Sequence, residues 1–165
     1  MRLRRWLALA GVLPISTSCG NEPAPWVSPV AFDTTTAVVR TGGSADSLLV
    51  EVAHTPEQRS FGLSLRPELD RESGMVFLYD SVQPPNAGYW MWRTRVPLDI
   101  AFMDSTGTIV RVLQIEPCTA VYLQGCPTYE PGVPYWSALE VNRSWLEEQG
   151  AGEGSVVTVR EPPAG

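Results

Sequence analysis

The feature that most constrains the fold is a series of short apolar runs bounded by turn-forming residues. The runs are rich in Val, Ile, Leu and aromatic residues, and Gly, Pro, Asn or Asp lie between them, as is typical of β-strands joined by tight turns. The predicted strands span residues 36–40, 48–54, 74–79, 89–93, 98–104, 108–115, 137–141 and 155–160. Since no long helical segment alternates with them, the pattern predicts an all-β fold, a β-sandwich or a small barrel, rather than a parallel α/β sheet.

Two short helices and one clear hairpin complete this prediction. Residues 55–57, Thr-Pro-Glu, begin the first helix because Thr is a good N-cap and Pro suits the first helical position, and Gly62 ends it. The second helix spans residues 143–149, with Asn142 as its N-cap. Residues 104–107, Asp-Ser-Thr-Gly, close the hairpin as a type I turn followed by a left-handed residue.

Residues 1–18 have the order of a secretory signal peptide. A positively charged segment, Met-Arg-Leu-Arg-Arg, precedes a mostly apolar stretch from Trp6 to Ile15, and the small residues Ser-Thr-Ser follow. The apolar stretch has about ten residues, whereas a helix that spans a bilayer needs about 20. We therefore expect residues 1–18 to be removed when the protein is exported.

Cys19 follows these small residues in the manner of a bacterial lipobox, in which the cysteine is lipidated. An anchor of two or three acyl chains holds a protein stably in a membrane, whereas one chain does not. Ser16 stands where a lipobox favours Leu, so cleavage by ordinary signal peptidase, which leaves a soluble protein, is the alternative. The prediction is a membrane-anchored lipoprotein that faces the periplasm or the cell exterior.

The other two cysteines are predicted to form a disulfide. The chain has three Cys residues, so lipidation of Cys19 leaves an even pair. Cys118 and Cys126 are eight residues apart across a Gly-containing loop, and an oxidising compartment favours a disulfide between them. A redox-active pair and two free thiols are the alternatives, although the spacing differs from the Cys-x-x-Cys of thiol oxidoreductases.

The rest of the chain is predicted to form one domain with short appendages. Residues 19–35 contain three Pro residues and no hydrophobic periodicity, which indicates an extended, flexible linker after the anchor. Residues 36–160 form a single β domain, and residues 161–165 a frayed tail. Hydrophobic residues make up 44% of the chain and charged residues 18%, which suffices for one hydrophobic core.

The charge of the chain argues against nucleic acid as a partner. The net charge is −6, and all twelve basic residues are Arg. Three of them lie in the predicted signal peptide, so nine Arg face eighteen Asp and Glu after its removal. Such an acidic surface repels phosphate backbones and anionic headgroups, and the sequence has no basic stripe with interleaved aromatic residues.

Several segments of the chain resemble, in order, a known family. They are residues 51–63, 74–78, 89–104, 117–119 with 126–129, and 138–142. The family is domain of unknown function 192, and the resemblance covers about residues 36–160. It implies a compact β fold of the jelly-roll type and no established activity. This chain has Ser64 where the family has Met, and residues 92–94, Trp-Arg-Thr, where the family has Lys-Asn-Thr, which moves the cation by one position.

The best candidates for a ligand-binding site lie in the segment 89–104. Trp90, Trp92, Arg93 and Asp99 are the candidate residues there, because aromatic faces and charged groups suit ligand recognition. Alternation along the predicted strand places the two Trp side chains on one face and Arg93 on the other.

Three carboxylates lie in apolar strands, where a charge must be paired, exposed or functional: Asp99, Glu140 and Glu51. For Asp99 the alternatives are an ion pair with Arg93 or Arg95, a place in a ligand groove, and acid–base catalysis. Glu140 is the further ligand-binding candidate, although alternation allows both it and Glu51 to point to solvent. If Asp99 and Glu140 converge, they form a carboxylate pair of the kind that hydrolases use.

No metal or cofactor is predicted. His54 is the single histidine and is expected to be a solvated loop residue. Arg66 is expected to pair with Glu68 or Asp70 nearby. The sequence contains neither a calcium-binding loop of the Asp-x-Asp-x-Asp-Gly type nor a Gly-rich phosphate loop.

The sequence favours a non-catalytic envelope protein that binds a small molecule, a glycan or another protein through an aromatic groove. Six Trp and five Tyr residues are available for such a surface. The alternatives are a hydrolase that uses Asp99 and Glu140, and a structural or assembly partner of envelope proteins. Catalysis is less favoured because no complete set of nucleophile, base and orienting residue is visible.

Overall fold

The structure is a computed structural model that describes residues 26–160. These residues form nine β-strands, two short α-helices and one 3-10 turn. The strands are β1 (Asp33–Arg40), β2 (Ala45–Ala53), β3 (Ser73–Gln83), β4 (Tyr89–Trp90), β5 (Leu98–Met103), β6 (Ile109–Ile115), β7 (Thr128–Tyr129), β8 (Tyr135–Asn142) and β9 (Val156–Val159). The predictions for the signal peptide, for Cys19 and for residues 161–165 lie outside the described residues.

Seven strands form one curled sheet in the order β6-β5-β8-β3-β2-β1-β9, and β4 and β7 form a separate two-stranded sheet. Strands β2 and β3 run parallel because α1 (Pro56–Phe61) lies in the crossover between them, and the other pairs described are antiparallel. The predicted mostly β fold with two short helices is confirmed, and the large sheet takes the form of half a barrel.

The curl brings the two edge strands, β6 and β9, together at one end of the sheet. The backbone N–H of Val157 donates to the carbonyl of Gly107 at 2.8 Å, and the N–H of Ile109 donates to Ser155 at 2.8 Å. This seam between the edge strands satisfies backbone groups that an open sheet would leave unpaired.

Hydrophobic clusters cover both faces of the sheet. An aliphatic cluster that includes Val50 and Ala101 packs under α2, and an aromatic cluster that includes Phe77 and Phe102 packs on the side of α1. All six residues of β5 are buried because its side chains alternate between these two clusters. The same alternation determines to which face of the sheet each carboxylate of β5 and β8 points, as described below.

Helix α1 begins and ends as the sequence predicts. The Thr55 hydroxyl accepts a hydrogen bond from the backbone N–H of Gln58 at 3.2 Å, and the Gln58 side chain accepts from the Thr55 N–H at 3.0 Å. This capping box satisfies two of the free N–H groups of the first turn. Gly62, with φ of 52°, ends the helix.

The second helix, α2 (Trp145–Glu148), is shorter than predicted, and its N-cap is Ser144 rather than Asn142. Asn142 is the last residue of β8, and its side-chain Nδ2 donates to the carbonyls of Leu69 at 3.2 Å and Asp70 at 2.9 Å. The prediction that Asn142 caps the helix is therefore wrong, because tertiary contacts occupy its side chain.

The strand predicted over residues 89–93 ends at Trp90. Arg93 has a φ of 62°, and the backbone N–H of Thr94 donates to the carbonyl of Met91 at 3.0 Å, which closes a turn. The predicted alternation, with both Trp side chains on one strand face, is therefore wrong beyond Trp90.

The chain before the sheet also packs on the domain. Strand β1 begins at Asp33, inside the predicted linker, and Phe32 packs against the aromatic cluster. The Gln58 Nε2 group donates to the carbonyl of Ala31 at 2.9 Å. Within residues 26–160 no helix has the length and apolar character needed to cross a bilayer.

Candidate functional site

A cavity of about 280 Å³ lies beside α1, against β3, β4 and β8. Its lining is Pro56, Arg59, Ser60, Phe61, Gly62, Leu63, Ser64, Phe77, Tyr79, Gly88, Tyr89, Trp90, Thr94 and Glu140. Small-molecule sites are mostly apolar and aromatic clefts with a few convergent polar groups, from about 300 Å³ upward. This α1 cavity has that composition, and its volume is just below that range.

Glu140 is the carboxylate of the α1 cavity and is only 5% exposed. Strand β8 lies between β3 and β5, so Glu140 has Met75 on one side and Ile100 on the other. Within residues 26–160 no cation or hydrogen-bond donor offsets its burial, which raises the pKa of Glu140 to about 8. Its carboxyl group is therefore mostly protonated at neutral pH and can both donate and accept a hydrogen bond.

Tyrosine rings form much of the wall around Glu140. The hydroxyl oxygens of Tyr79 and Tyr89 are 2.8 Å apart, and the Tyr135 hydroxyl behind them donates to the carbonyl of Ala87 at 2.8 Å. Burial is the main cause that raises the pKa of each of these three tyrosines. They stay neutral at physiological pH, so their hydroxyl groups make the surroundings of Glu140 more polar without adding charge.

Arg59 is the cation of the cavity lining. Its Nη1 donates to the carbonyl of His54 at 2.6 Å and to that of Leu78 at 3.0 Å. Its Cζ lies 4.9 Å from the centroid of the Tyr79 ring. The guanidinium is thus held against the protein by a ring and two carbonyls and has partners without any ligand.

A second cavity, of about 310 Å³, contains Trp92 and Arg93. It shares Ser60, Phe61 and Ser64 with the lining of the α1 cavity, so the two cavities adjoin. The Cζ of Arg93 lies 4.1 Å from the centroid of the Trp92 ring, which is a stacked cation–π contact.

Two residues in the left-handed region lie beside these cavities. Leu65 has a φ of 64° and Arg93 a φ of 62°, and both line the second cavity. The backbone N–H of Leu65 donates to the carbonyl of Arg93 at 2.8 Å, so a hydrogen bond joins the two residues with left-handed backbones. Strained non-glycine residues concentrate at functional sites, which favours this surface as one.

Asp99 lies away from both cavities, on the opposite face of the sheet, and is 2% exposed. Its Oδ1 is 3.7 Å from Nε of Arg143, and this guanidinium and the backbone N–H groups of Ser144 and Leu146 lower the pKa of the Asp99 carboxyl group. Burial raises the pKa of Asp99 more than these partners lower it. The expected ion pair therefore exists, but Arg143 replaces Arg93 or Arg95, and Asp99 holds the start of α2.

Asp99 and Glu140 do not converge. Asp99 is opposite Val141 in the β5–β8 register, and Glu140 is opposite Ile100. Residues directly opposite share a face and neighbours along a strand alternate, so the two carboxylates point to opposite faces of the sheet. The predicted hydrolase pair is wrong, because the register separates the groups that it requires.

Glu51 is paired rather than solvated. Its carboxylate contacts the guanidinium of Arg66, whose Cζ also lies 4.9 Å from the centroid of the Trp26 ring. The expected pairing of Arg66 with Glu68 or Asp70 is wrong, because the parallel crossover returns Arg66 to β2.

The cysteine pair supports the loop beside Trp92. Cys118 and Cys126 form a disulfide, as the sequence predicts. The backbone N–H of Cys118 donates to the carbonyl of Met91 at 3.3 Å, and Cys118 forms a β-bridge with Trp92. The disulfide therefore stabilises a loop that packs against the second cavity.

The described residues show no metal-binding group. Within residues 26–160 no set of three or more His, Cys, Asp or Glu side chains is arranged to hold a metal ion. His54 is exposed, as expected for a loop residue.

The structure thus divides the candidate residues that the sequence indicates. Trp90 and Glu140 line the α1 cavity, Trp92 and Arg93 line the second cavity, and Asp99 lies on the opposite face of the sheet. Arg59, Tyr79 and Tyr89 also line the α1 cavity, and the sequence does not indicate them as site residues. Their sequence context, an Arg in a predicted helix and aromatic residues in predicted strands, carries no signal that separates a site from a core.

The fold and the site define a class: a small, mostly β domain with an aromatic cavity that is lined by a buried carboxyl group. The chain belongs to the family of domain of unknown function 192, described as "Uncharacterized ACR", whose model matches residues 37–159. The match includes the four residues that the sequence indicates in the two cavities, namely Trp90, Trp92, Arg93 and Glu140.

Two solved structures share the fold. A proposed transcription regulator from Sinorhizobium meliloti 1021 is 27% identical, with a TM-score of 0.69, over 80% of this chain and 98% of that chain. A protein of unknown function from Novosphingobium aromaticivorans DSM 12444 is 28% identical, with a TM-score of 0.66, over 82% of this chain and 92% of that chain. No curated protein matches the chain.

Proposed function

We propose that this protein is a non-catalytic binding protein of the cell envelope that holds a small molecule in the α1 cavity. The observation that carries the proposal is Glu140, a buried carboxyl group that lies in an aromatic cavity and has no hydrogen-bond or ionic partner within residues 26–160. Burial of an unpaired polar group costs free energy, and a ligand that satisfies Glu140 recovers it. The ligand is small, with an apolar body for the rings and a polar group for Glu140.

The location is part of this proposal. A signal peptide over residues 1–18 and lipidation at Cys19 would place the domain outside the cytoplasm, tethered to a membrane. Gene regulation, by analogy with the description of the Sinorhizobium protein, is less favoured because the net charge of −6 opposes contact with DNA.

The test is a binding screen on the full-length chain in detergent, read by intrinsic Trp fluorescence and thermal unfolding. The probes are 2-phenylethanol, 2-phenylethylamine, phenylacetate and N-acetylglucosamine. A probe at about 100 times its Kd stabilises the folded state by about 2.7 kcal/mol, which a melting curve resolves.

Trp90→Ala and Trp136→Ala are the matched variants, because the two side chains are 38% and 39% exposed and only Trp90 lines the α1 cavity. We expect Trp90→Ala to weaken binding about tenfold, since it removes one aromatic wall, and Trp136→Ala to leave it unchanged. Failure of all probes to bind, or equal effects of the two variants, would contradict the proposal.

A further inference from the structure

The polar groups of the α1 cavity differ in how many hydrogen-bond or ionic partners the protein gives them. Arg59 already has two carbonyls and the Tyr79 ring as partners, and the Tyr79 hydroxyl is hydrogen-bonded to Tyr89. Glu140 has no such partner among the described residues, although it is 95% buried. The cavity therefore lacks a donor for the carboxylate rather than an acceptor for the guanidinium.

The surroundings of Glu140 also favour positive charge in a ligand. The rings of Phe61, Phe77, Tyr79, Tyr89 and Trp90 line the cavity, and the negative faces of aromatic rings attract cations. The whole chain carries a net charge of −6, so its long-range field attracts cations and repels anions. An anionic ligand would find only one cation in this lining, and that cation has partners already.

We infer that the α1 cavity binds a small organic ammonium ion, whose N–H groups donate to the Glu140 carboxylate while the aromatic rings surround its apolar body. This inference rests on the proposed function, and it adds the chemical class of the ligand. A primary or secondary ammonium fits better than a quaternary one, because only the former donates hydrogen bonds to a carboxylate.

A proton leaves when this ligand binds. The carboxyl group of Glu140 is protonated in the empty cavity at neutral pH, since burial raises its pKa to about 8. The ammonium keeps its own protons, so the Glu140 carboxyl O–H bond breaks and the proton passes to solvent. Binding then tightens as pH rises toward 8, by up to about tenfold per pH unit.

The groups that face Glu140 do not change charge over this range. Tyr79 of β3 and Tyr89 of β4 have raised pKa values and stay neutral, and the charged side chain that α1 contributes to the cavity lining is the guanidinium of Arg59. Strand β5 faces Glu140 with Ile100, and β3 also faces it with Met75. A pH dependence of binding between about pH 6 and 8 therefore reports Glu140 itself.

The experiment compares 2-phenylethylammonium with 2-phenylethanol and phenylacetate by isothermal titration calorimetry on the full-length chain. An aliphatic ammonium stays charged over this pH range. We expect the ammonium to bind at least about tenfold more tightly than the alcohol at pH 8, because a desolvated charge pair adds to its affinity. At pH 6.5, in buffers of different ionisation enthalpy, we expect release of close to one proton per ligand.

Glu140→Gln and Glu68→Gln are the matched variants, since Glu68 is exposed and outside both cavities. Glu140→Gln should lose the proton release and weaken ammonium binding by at least about tenfold, and it should weaken 2-phenylethanol binding by less. Glu68→Gln should behave as wild type. A cooperative thermal transition of each variant shows that it is folded.

The outcomes separate this inference from the proposed function. If the alcohol or the carboxylate binds as tightly as the ammonium, or if ammonium affinity does not change with pH, the ammonium class is wrong and the cavity still binds ligands. If none of the three probes binds, both the inference and the proposed function are wrong.

Discussion

Two glutamates in similar sequence contexts end in different surroundings. Glu140 lies in Leu-Glu-Val and Glu51 in Val-Glu-Val, each in a strand of the large sheet. Arg66 pairs with Glu51, whereas Glu140 has no cation within residues 26–160 and is buried beside the α1 cavity. At the scale of the residue, the neighbour that the fold supplies decides whether a carboxyl group is an ion or a neutral acid.

Glu140→Gln should change the pH dependence of stability. The folded protein holds the Glu140 proton up to about pH 8, whereas the unfolded chain loses it above about pH 4.5. Wild-type stability relative to Glu140→Gln is therefore greatest below about pH 4.5, falls by up to about 1.4 kcal/mol per pH unit, and levels off above about pH 8. Urea unfolding of both proteins at several pH values measures this difference, in which the shared contribution of Asp99 cancels. Parallel pH profiles of the two proteins would contradict it.

At the scale of the element, the β5–β6 hairpin does more than connect two strands. The Asp104 carboxylate accepts hydrogen bonds from the backbone N–H groups of Thr106 at 2.8 Å and Thr108 at 3.0 Å, which explains why the sequence signals the turn so clearly. The same turn places Gly107 against Val157, so it also forms part of the seam between β6 and β9. A local turn motif thus fixes a contact between the two edges of the sheet.

Gly107→Ala should destabilise the protein more than Gly132→Ala. Both glycines have positive φ values, 82° and 73°, but a Cβ at Gly107 would lie 2.2 Å from the carbonyl oxygen of Val157, whereas Gly132 has nothing within 4 Å. At either site we expect Ala to lower the free energy of unfolding by about 1–2 kcal/mol, because the backbone is in the left-handed region. At Gly107 the clash with Val157 also displaces the contact between β6 and β9, which should lower the free energy of unfolding further, by about 1–3 kcal/mol. Urea denaturation measures both variants, and equal losses would show that the seam contributes nothing.

At the scale of the whole molecule, the domain is proposed to work outside the cytoplasm, close to a membrane. The described part begins at Trp26, and the residues before it carry the signal-peptide and lipobox patterns. Strand β1 starts at Asp33, so about 14 residues separate Cys19 from the sheet. Trp26 and Phe32 already contact the domain, so an extended chain of about 3 Å per residue over the roughly seven residues after Cys19 would keep the domain within roughly 20 Å of its anchor.

Cys19→Ser should release the protein from the membrane. In a bacterial host fed a labelled fatty acid, we expect the wild-type chain to incorporate label and to sediment with membranes, and Cys19→Ser to do neither. Mass spectrometry of the mature N-terminus is the second measurement. An unlabelled wild-type protein cleaved by ordinary signal peptidase would contradict the lipid anchor and still agree with export.

The sequence by itself determined what depends on a few neighbouring residues. Seven of the eight predicted strands, the Thr55–Gln58 capping box, the Asp104 turn and the Cys118–Cys126 pair follow from alternation, capping, turn chemistry and short spacing, and the structure agrees with each; the strand predicted over residues 89–93 is the exception. These features are local because their hydrogen bonds or covalent links join residues that lie close in the chain. The family resemblance added the order of the segments, and it is confirmed.

Only the tertiary structure decided which side chains meet. Arg143 rather than Arg93 pairs with Asp99, and Asn142 binds a distant loop instead of capping α2. The register of β5 against β8 sends Asp99 and Glu140 to opposite faces, which removes the hydrolase pair. Alternation in a sequence shows that neighbouring side chains diverge, but the elements packed on each face determine whether a carboxyl group meets a cation, solvent or a cavity.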